Sequence, residues 1–205
     1  MSSFFTAIRH KLRLVLTLNR LAFRAIFYLA LLVIFMDAIW LHYKNAPSVL
    51  PPLRFTREEI VWQEVPNEVS LAFLLSGCPL HCVGCHSADS WKAGLGEALS
   101  VDYLRERLRR YAGLLTCVLF LGGEWQPENL LALLRVARAE FGLKTCLYTG
   151  LEREEVPPML LPELSFLKTG RWLPERGGLD NPNTNQRFVN LETGADLTSS
   201  FWRRQ

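Results

Sequence analysis

No uncharged apolar stretch in this sequence is long enough to span a bilayer. The longest, residues 25–36, has 12 residues between Arg24 and Asp37, against the roughly 20 that a hydrocarbon core demands. Strong charge of one sign is missing as well: 23 Lys and Arg stand against 20 Asp and Glu, and a net charge of +3 gives no reason to expect a nucleic-acid partner. Cysteine is scarce and odd in number. Five cysteines, three of them between residues 78 and 85, fit a disulfide framework poorly and point to a reducing, cytoplasmic setting. No internal repeat or low-complexity tract is present, so solenoid architectures are set aside.

What is present begins with an apolar N-terminal segment, residues 12–42, with Arg9, Lys11 and Arg13 at its start and Arg20 and Arg24 further inside it. Residues 1–44 read as a hydrophobic helical extension: an amphipathic or signal-anchor helix, a helix packed on the domain or a partner, or sequence upstream of a start at Met36. Membrane contact through residues 12–42 is not favoured. Pro47, Pro51 and Pro52 make residues 45–52 a linker, because proline suits neither a helix interior nor a central strand. A single catalytic domain is expected over residues 53–205.

Within it, residues 59–65 and 69–75 read as a strand pair, the second a nearly continuous apolar run of the kind a buried strand shows. Ser100 opens a helix over residues 100–111. Residues 115–121 form another buried strand, ending at Gly122-Gly123. Pro127 suits the first turn of a helix whose face is Leu130, Leu134, Ala137 and Phe141, and Gly142 stops it. A strand over 143–148, a short or broken helix over 152–164 around Pro157-Pro158, and a strand over 164–168 complete a βαβαβαβ order. Such alternation predicts an α/β fold with a parallel sheet, its chemistry held in loops at the carboxyl ends of the strands.

The strongest chemical signal is Cys78-Pro-Leu-His-Cys82-Val-Gly-Cys85. Thiolates bind iron–sulfur clusters, and three of them hold three irons of a cubane while leaving the fourth open to a substrate. Two other readings share the loop. His81 or His86 could complete a structural zinc site, and Cys82-Val-Gly-Cys85-His86 matches the C-x-x-C-H signature of covalent haem, which with the N-terminal segment would make a membrane-anchored cytochrome. Cys117 and Cys146 sit alone in apolar runs and read as small core residues. Gly122-Gly123-Glu124 places backbone that can approach a ligand beside a carboxylate able to receive an ammonium group, or else forms a plain strand-to-helix turn. Tyr148-Thr149-Gly150 and Lys168-Thr169-Gly170-Arg171 are polar at strand ends. The amide-rich tail, residues 177–188, reads equally as a cover for a ligand or a surface loop. Trp62, Trp91 and Trp125 flank these motifs as shields or as core.

Together the C-x3-C-x2-C loop, His86 to Trp91 (His-Ser-Ala-Asp-Ser-Trp), Gly122-Gly123-Glu124, Tyr148-Thr149-Gly150 and the stretch from Lys168 to Phe188 with Asn185-Gln186-Arg187 resemble the radical S-adenosylmethionine superfamily. Within it they are most similar to the activating enzymes of glycyl-radical enzymes, above all the group acting on anaerobic ribonucleoside-triphosphate reductase. The resemblance spans residues 59–188. It implies a partial (βα) barrel and a [4Fe-4S] cluster ligated by Cys78, Cys82 and Cys85. It also implies S-adenosylmethionine contacted by Gly84, Cys85 and His86 and by Gly122, Gly123 and Glu124, Gly123 lying against the methionine end and Glu124 pairing with the amino group. The implied oxidoreductase makes a glycyl radical on a partner protein and draws electrons from a flavodoxin- or ferredoxin-type donor. No catalytic side chain beyond the cluster ligands is implied. Gly84 stands where the superfamily often has an aromatic, and Trp125 where many relatives have proline.

Overall fold

The computed structural model describes Met36 and residues 51–202. The chain divides into two units, Met1–Val49 and Leu50–Gln205, and the expected extension, residues 1–44, lies outside the described residues apart from Met36. Among the described residues no helix is long and apolar enough to cross a membrane.

The second unit runs β1 (Arg54–Val61), β2 (Ser70–Leu75), β3 (Glu97–Ala98), α1 (Val101–Arg110), β4 (Cys117–Leu121), α2 (Pro127–Arg135), β5 (Lys144–Tyr148), β6 (Phe166–Thr169) and β7 (Arg187–Asn190). All seven strands join one sheet in the order β3-β1-β2-β4-β5-β6-β7. The centre is parallel: β2, β4, β5 and β6 pair side by side in one direction. Antiparallel pairs flank it, β1 with β2 and β3 on one side and β7 with β6 on the other. Parallel neighbours need crossover connections. These are the cysteine loop with α1 between β2 and β4, helix α2 between β4 and β5, and two 3₁₀ turns, Arg153–Glu155 and Leu161–Glu163, between β5 and β6.

The mixed α/β class and parallel centre follow the sequence pattern, with three departures. The first strand is Arg54–Val61 rather than 59–65, because Leu53 and Phe55, buried at 1% and 6% exposure, anchor it earlier. Strands β3 and β7 were not expected. They are short flanking pieces whose place is fixed by pairing to β1 and β6 rather than by local propensity. The helix expected to run from Pro127 to Phe141 widens into a π turn at Val136–Glu140 before Gly142 ends it.

Side-chain alternation across the sheet builds two apolar layers. Leu71, Phe73, Leu75, Val118, Phe120, Leu147 and Leu167 face α1 and α2, where they meet Leu104, Leu108, Leu130, Leu133 and Leu134. Ala72, Cys117, Leu119, Cys146, Phe166 and Phe188 form the opposite face, covered by Val65 and Leu179. Cys117 and Cys146 are thus free and buried core residues, and burial pushes the Cys117 thiol up to about 12.

Helix α1 is pinned at both ends. The Ser100 hydroxyl accepts from Tyr103 N at 3.0 Å, and Arg107 pairs with Glu58 of β1, whose other carboxylate oxygen accepts from Tyr103 Oη at 2.7 Å. Ser100→Ala removes the cap, and we expect it to cost about 1 kcal/mol. Urea denaturation measures that loss as a lower midpoint with unchanged slope.

Candidate functional site

Every chemical motif lies at the carboxyl end of the parallel strands. Strand β2 delivers Ser76, whose hydroxyl donates to Leu95 O at 2.9 Å, while Gly77 N donates to Ser90 O at 2.8 Å. These bonds tie off both ends of the cysteine loop. Inside it Cys85 N donates to Cys82 O at 3.0 Å, closing a turn around Val83 and Gly84. The His81 ring stacks on Trp91 at 4.9 Å. Leu80 packs against Gly150 at the end of β5, where a Cβ would come within 2.6 Å of Leu80 Cδ1.

The three cysteines of this loop are free and half-buried. Burial raises the Cys78 thiol, and the neighbouring Glu124, Cys82 and Cys85 add to the rise. Among the described residues no three His, Cys, Asp or Glu side chains converge on one point as a single metal ion requires. The donor set is instead three thiols spread along one loop, and a cubane takes each at a different iron. That chemistry fits an iron–sulfur cluster better than a mononuclear zinc ion.

Beside the loop, a cavity of about 170 Å³ is lined by Cys78 and Cys85, by Gly122, Glu124 and Trp125 after β4, by Tyr148, Thr149 and Gly150 after β5, and by Lys168 of β6. It meets a larger cleft of about 580 Å³ through shared walls at Cys85, Ser87, Tyr148 and Lys168. His86, Trp172, Asp180 and Asn181 line that cleft further out, so part of the amide-rich tail does face the open space.

Glu124 is the unusual group. It is 5% exposed; Thr149 Oγ1 donates to its Oε1 at 2.7 Å, and its Oε2 is buried with no partner. Burial raises its carboxyl above the ordinary range, against the lowering pull of the Thr149 bond. A buried carboxylate oxygen without a donor fits a cationic ligand group in the cavity. Lys168 is the complement, 9% exposed, its Nζ donating to Gly170 O at 3.0 Å. Burial lowers the ammonium to about 8, partly offset by Cys82, Cys85, Glu152 and Glu124.

The remaining expected residues are placed differently. Gly84 and Gly123 stand outside the lining of both spaces. Gly122 and Gly123 take φ of +93° and +101°, and Cβ atoms there would come within 2.5 Å of Trp125 and Leu75 respectively. The glycine pair is needed for the strand-to-helix turn itself. Trp62 is 68% exposed and apart from this cavity, whereas Trp91 and Trp125 line it. Sequence reading marked Lys168 only as the start of a polar stretch at a strand end, without a role, and missed Trp172 as a site residue. The signal for Lys168 is its place at the carboxyl end of an apolar strand, heading Lys168-Thr169-Gly170-Arg171; Trp172 gave none.

Residues 68–176, just over half the chain, match the family model of the 4Fe-4S single cluster domain. The chain belongs to that family, and the matched segment contains the cysteine loop and every residue named as lining the inner cavity, while Asp180 and Asn181 of the outer cleft lie beyond it. A shorter stretch is similar to the pyruvate formate-lyase-activating enzyme of Clostridium pasteurianum, with 34% identity over 80 residues. This match covers 36% of the chain, which spans about one third of the length of that relative.

Proposed function

We propose that this chain is a radical S-adenosylmethionine activase: Cys78, Cys82 and Cys85 each ligate one iron of a [4Fe-4S] cluster, and S-adenosylmethionine binds in the adjoining cavity. The observation that carries the reading is the half-unpaired, buried Glu124 carboxylate in one cavity with Cys78 and Cys85. When bound, the reduced cluster supplies the electron that splits S-adenosylmethionine into methionine and a 5′-deoxyadenosyl radical, which takes hydrogen from a glycine of the partner.

The chain's own residues bind and orient. Glu124 Oε2 receives the amino group of the methionine moiety, and Thr149 fixes the rotamer that presents it. Lys168, in the lining of the same cavity, offers the countercharge for the carboxylate. Cys85 and His86 approach S-adenosylmethionine from the cysteine loop and Gly122 brings backbone to its methionine end, while Gly84 and Gly123, expected as contacts, shape those two turns from outside the lining. Trp91 and Trp125 keep water from the inner cavity. Binding energy realised at these fixed dipoles and charges, rather than a protein general base, is the protein's contribution.

The partner in this reading is a glycyl-radical enzyme, the anaerobic ribonucleoside-triphosphate reductase, with a flavodoxin- or ferredoxin-type electron donor, in the cytoplasm. The likeness to an activating enzyme supports the activase class, and the motifs of residues 86–91 and 185–187 support this choice within it. The parallel run β2-β4-β5-β6 is the sheet from which the partial barrel of this domain would be formed.

The test is made on anaerobically reconstituted protein reduced with dithionite. We expect a [4Fe-4S]⁺ electron paramagnetic resonance signal that changes on adding S-adenosylmethionine, together with 5′-deoxyadenosine. Iron-loaded protein whose spectrum ignores S-adenosylmethionine and which forms no 5′-deoxyadenosine would sink the proposal.

A further inference from the structure

Two exposed tryptophans line one groove. Trp62 is 68% exposed and Trp202 41% exposed, and with Gln63, Asn67, Ser199 and Ser200 they border an open groove of about 880 Å³. A single apolar residue at a surface needs no explanation. Two indoles left in water on the same groove mark a surface that another molecule covers, since tryptophan is the side chain most enriched where binding energy concentrates.

Neither indole hangs on loose chain. Trp62 follows β1 in the connection to β2, which is held by Val65, fully buried against the sheet, and by Tyr148 of β5, whose hydroxyl donates to Glu64 O. Trp202 follows a 3₁₀ turn, Thr198–Phe201, pinned to β7: Phe188 N donates to Thr198 Oγ1 at 3.0 Å, and the Phe188 and Phe201 rings meet at 5.1 Å. Fixed backbone on both sides lowers the ordering cost of binding. The groove also leads to the chemistry. Asp180 lines both the groove and the cleft that reaches Cys85, His86 and Lys168, so the two spaces meet there. It is the one charged residue in the groove's described lining; the others are aromatic, amide, hydroxyl and proline groups. Such a lining offers hydrogen bonds to a main chain and aromatic faces to its side chains, with no cation to receive phosphate or an acidic segment.

We propose that this groove docks the partner protein: a neutral or basic segment flanking the radical-bearing glycine lies against Trp62 and Trp202, and the partner chain then passes Asp180 into the cleft beside the cysteine loop. This rests on the reading of the chain as an activase of a glycyl-radical enzyme. A protein substrate, unlike S-adenosylmethionine, reaches the cluster as continuous chain arriving from solvent. A groove that shares Asp180 with the cleft gives that chain a bound path, and the indoles supply affinity at a distance from the reacting atoms.

The experiment uses the full chain, anaerobically reconstituted with iron and sulfide, and the purified anaerobic ribonucleoside-triphosphate reductase of the same organism, immobilised for interferometry. Trp62→Ala and Trp202→Ala should each weaken binding about tenfold and raise by the same factor the reductase concentration that half-saturates glycyl-radical formation, with the rate at saturation kept. The 5′-deoxyadenosine made with dithionite in the absence of reductase should stay at the wild-type level, because neither indole lines the inner cavity. Leu114→Ala is the control: that side chain is 52% exposed but lies just ahead of β4, at the amino end of the sheet, and its loss should change nothing. Unchanged binding in both tryptophan variants would overturn the proposal, as would a wild-type dimer in sedimentation that Trp62→Ala dissolves, since the groove would then hold a second copy. Wild-type protein that makes 5′-deoxyadenosine yet does not bind the reductase overturns the docking and leaves the activase chemistry standing. Protein that makes none defeats the activase reading and takes this proposal with it.

Discussion

Alanine in place of Cys78, Cys82 or Cys85, one at a time, will abolish 5′-deoxyadenosine formation and leave a protein that cannot retain a [4Fe-4S] cluster, while the fold itself survives. The loop is fastened by Ser76 and Gly77 at its ends and by Leu80 against Gly150, none of which involves a thiol. All three cysteines are half-buried in a loop outside the two apolar layers. Thermal unfolding of the apo-proteins should therefore match wild type, while iron content and turnover fall to background. The Cys78 variant is the most informative, because a covalent haem on Cys82 and Cys85 would persist in it. Retention of iron and activity in any one of the three would remove that cysteine from the ligand set.

The second large effect separates binding from folding. Glu124→Gln keeps the volume and the bond from Thr149 but replaces the unpaired, buried Oε2 with a neutral amide group. A charge-assisted hydrogen bond lost from a buried site is worth about 1.5–3 kcal/mol, so S-adenosylmethionine should bind about 10- to 150-fold more weakly. The apo-protein should be no less stable than wild type. Burial raises the Glu124 carboxyl, which means that near neutral pH the folded state bears the cost of confining a charge that the unfolded state hydrates, and an amide bears less of it. Isothermal titration and a melting curve on the same preparation test both halves. Unchanged affinity would take Glu124 out of the binding site, and a sharply lowered melting temperature would make it a structural residue instead.

The central strands were legible because a strand buried on both faces has no polar alternation to hide it. Leu71 to Leu75 and Val118 to Leu121 are apolar throughout, and β2 and β4 form there. Strand β1 was harder. Its Arg57, Glu58 and Glu59 lie on a flank, and the charged side chains are satisfied by partners far along the chain, Glu58 by Arg107 and Arg57 by Asp89. The cysteine spacing placed the chemistry at once, since three thiols in one loop need no tertiary information. What spacing could not show is which side chains the fold brings to that loop. Lys168 enters because β5 and β6 end level with one another, Tyr148 opposite Lys168. Trp172 enters because the chain turns back after β6 toward Gly84, and no local periodicity encodes such a return.

The arrangement of crossovers also orders assembly. The span from β2 to β4, which carries the cysteine loop, is about 40 residues, whereas those from β4 to β5 and β5 to β6 are about 20, so closing the first costs the most chain entropy. Chain entropy therefore favours β4, β5 and β6 associating first, with β2 and its thiols docking onto a sheet already begun. A nascent chain thus keeps its three cysteines on the last long loop to be drawn in, within reach of whatever cellular machinery delivers iron and sulfide until folding is nearly finished.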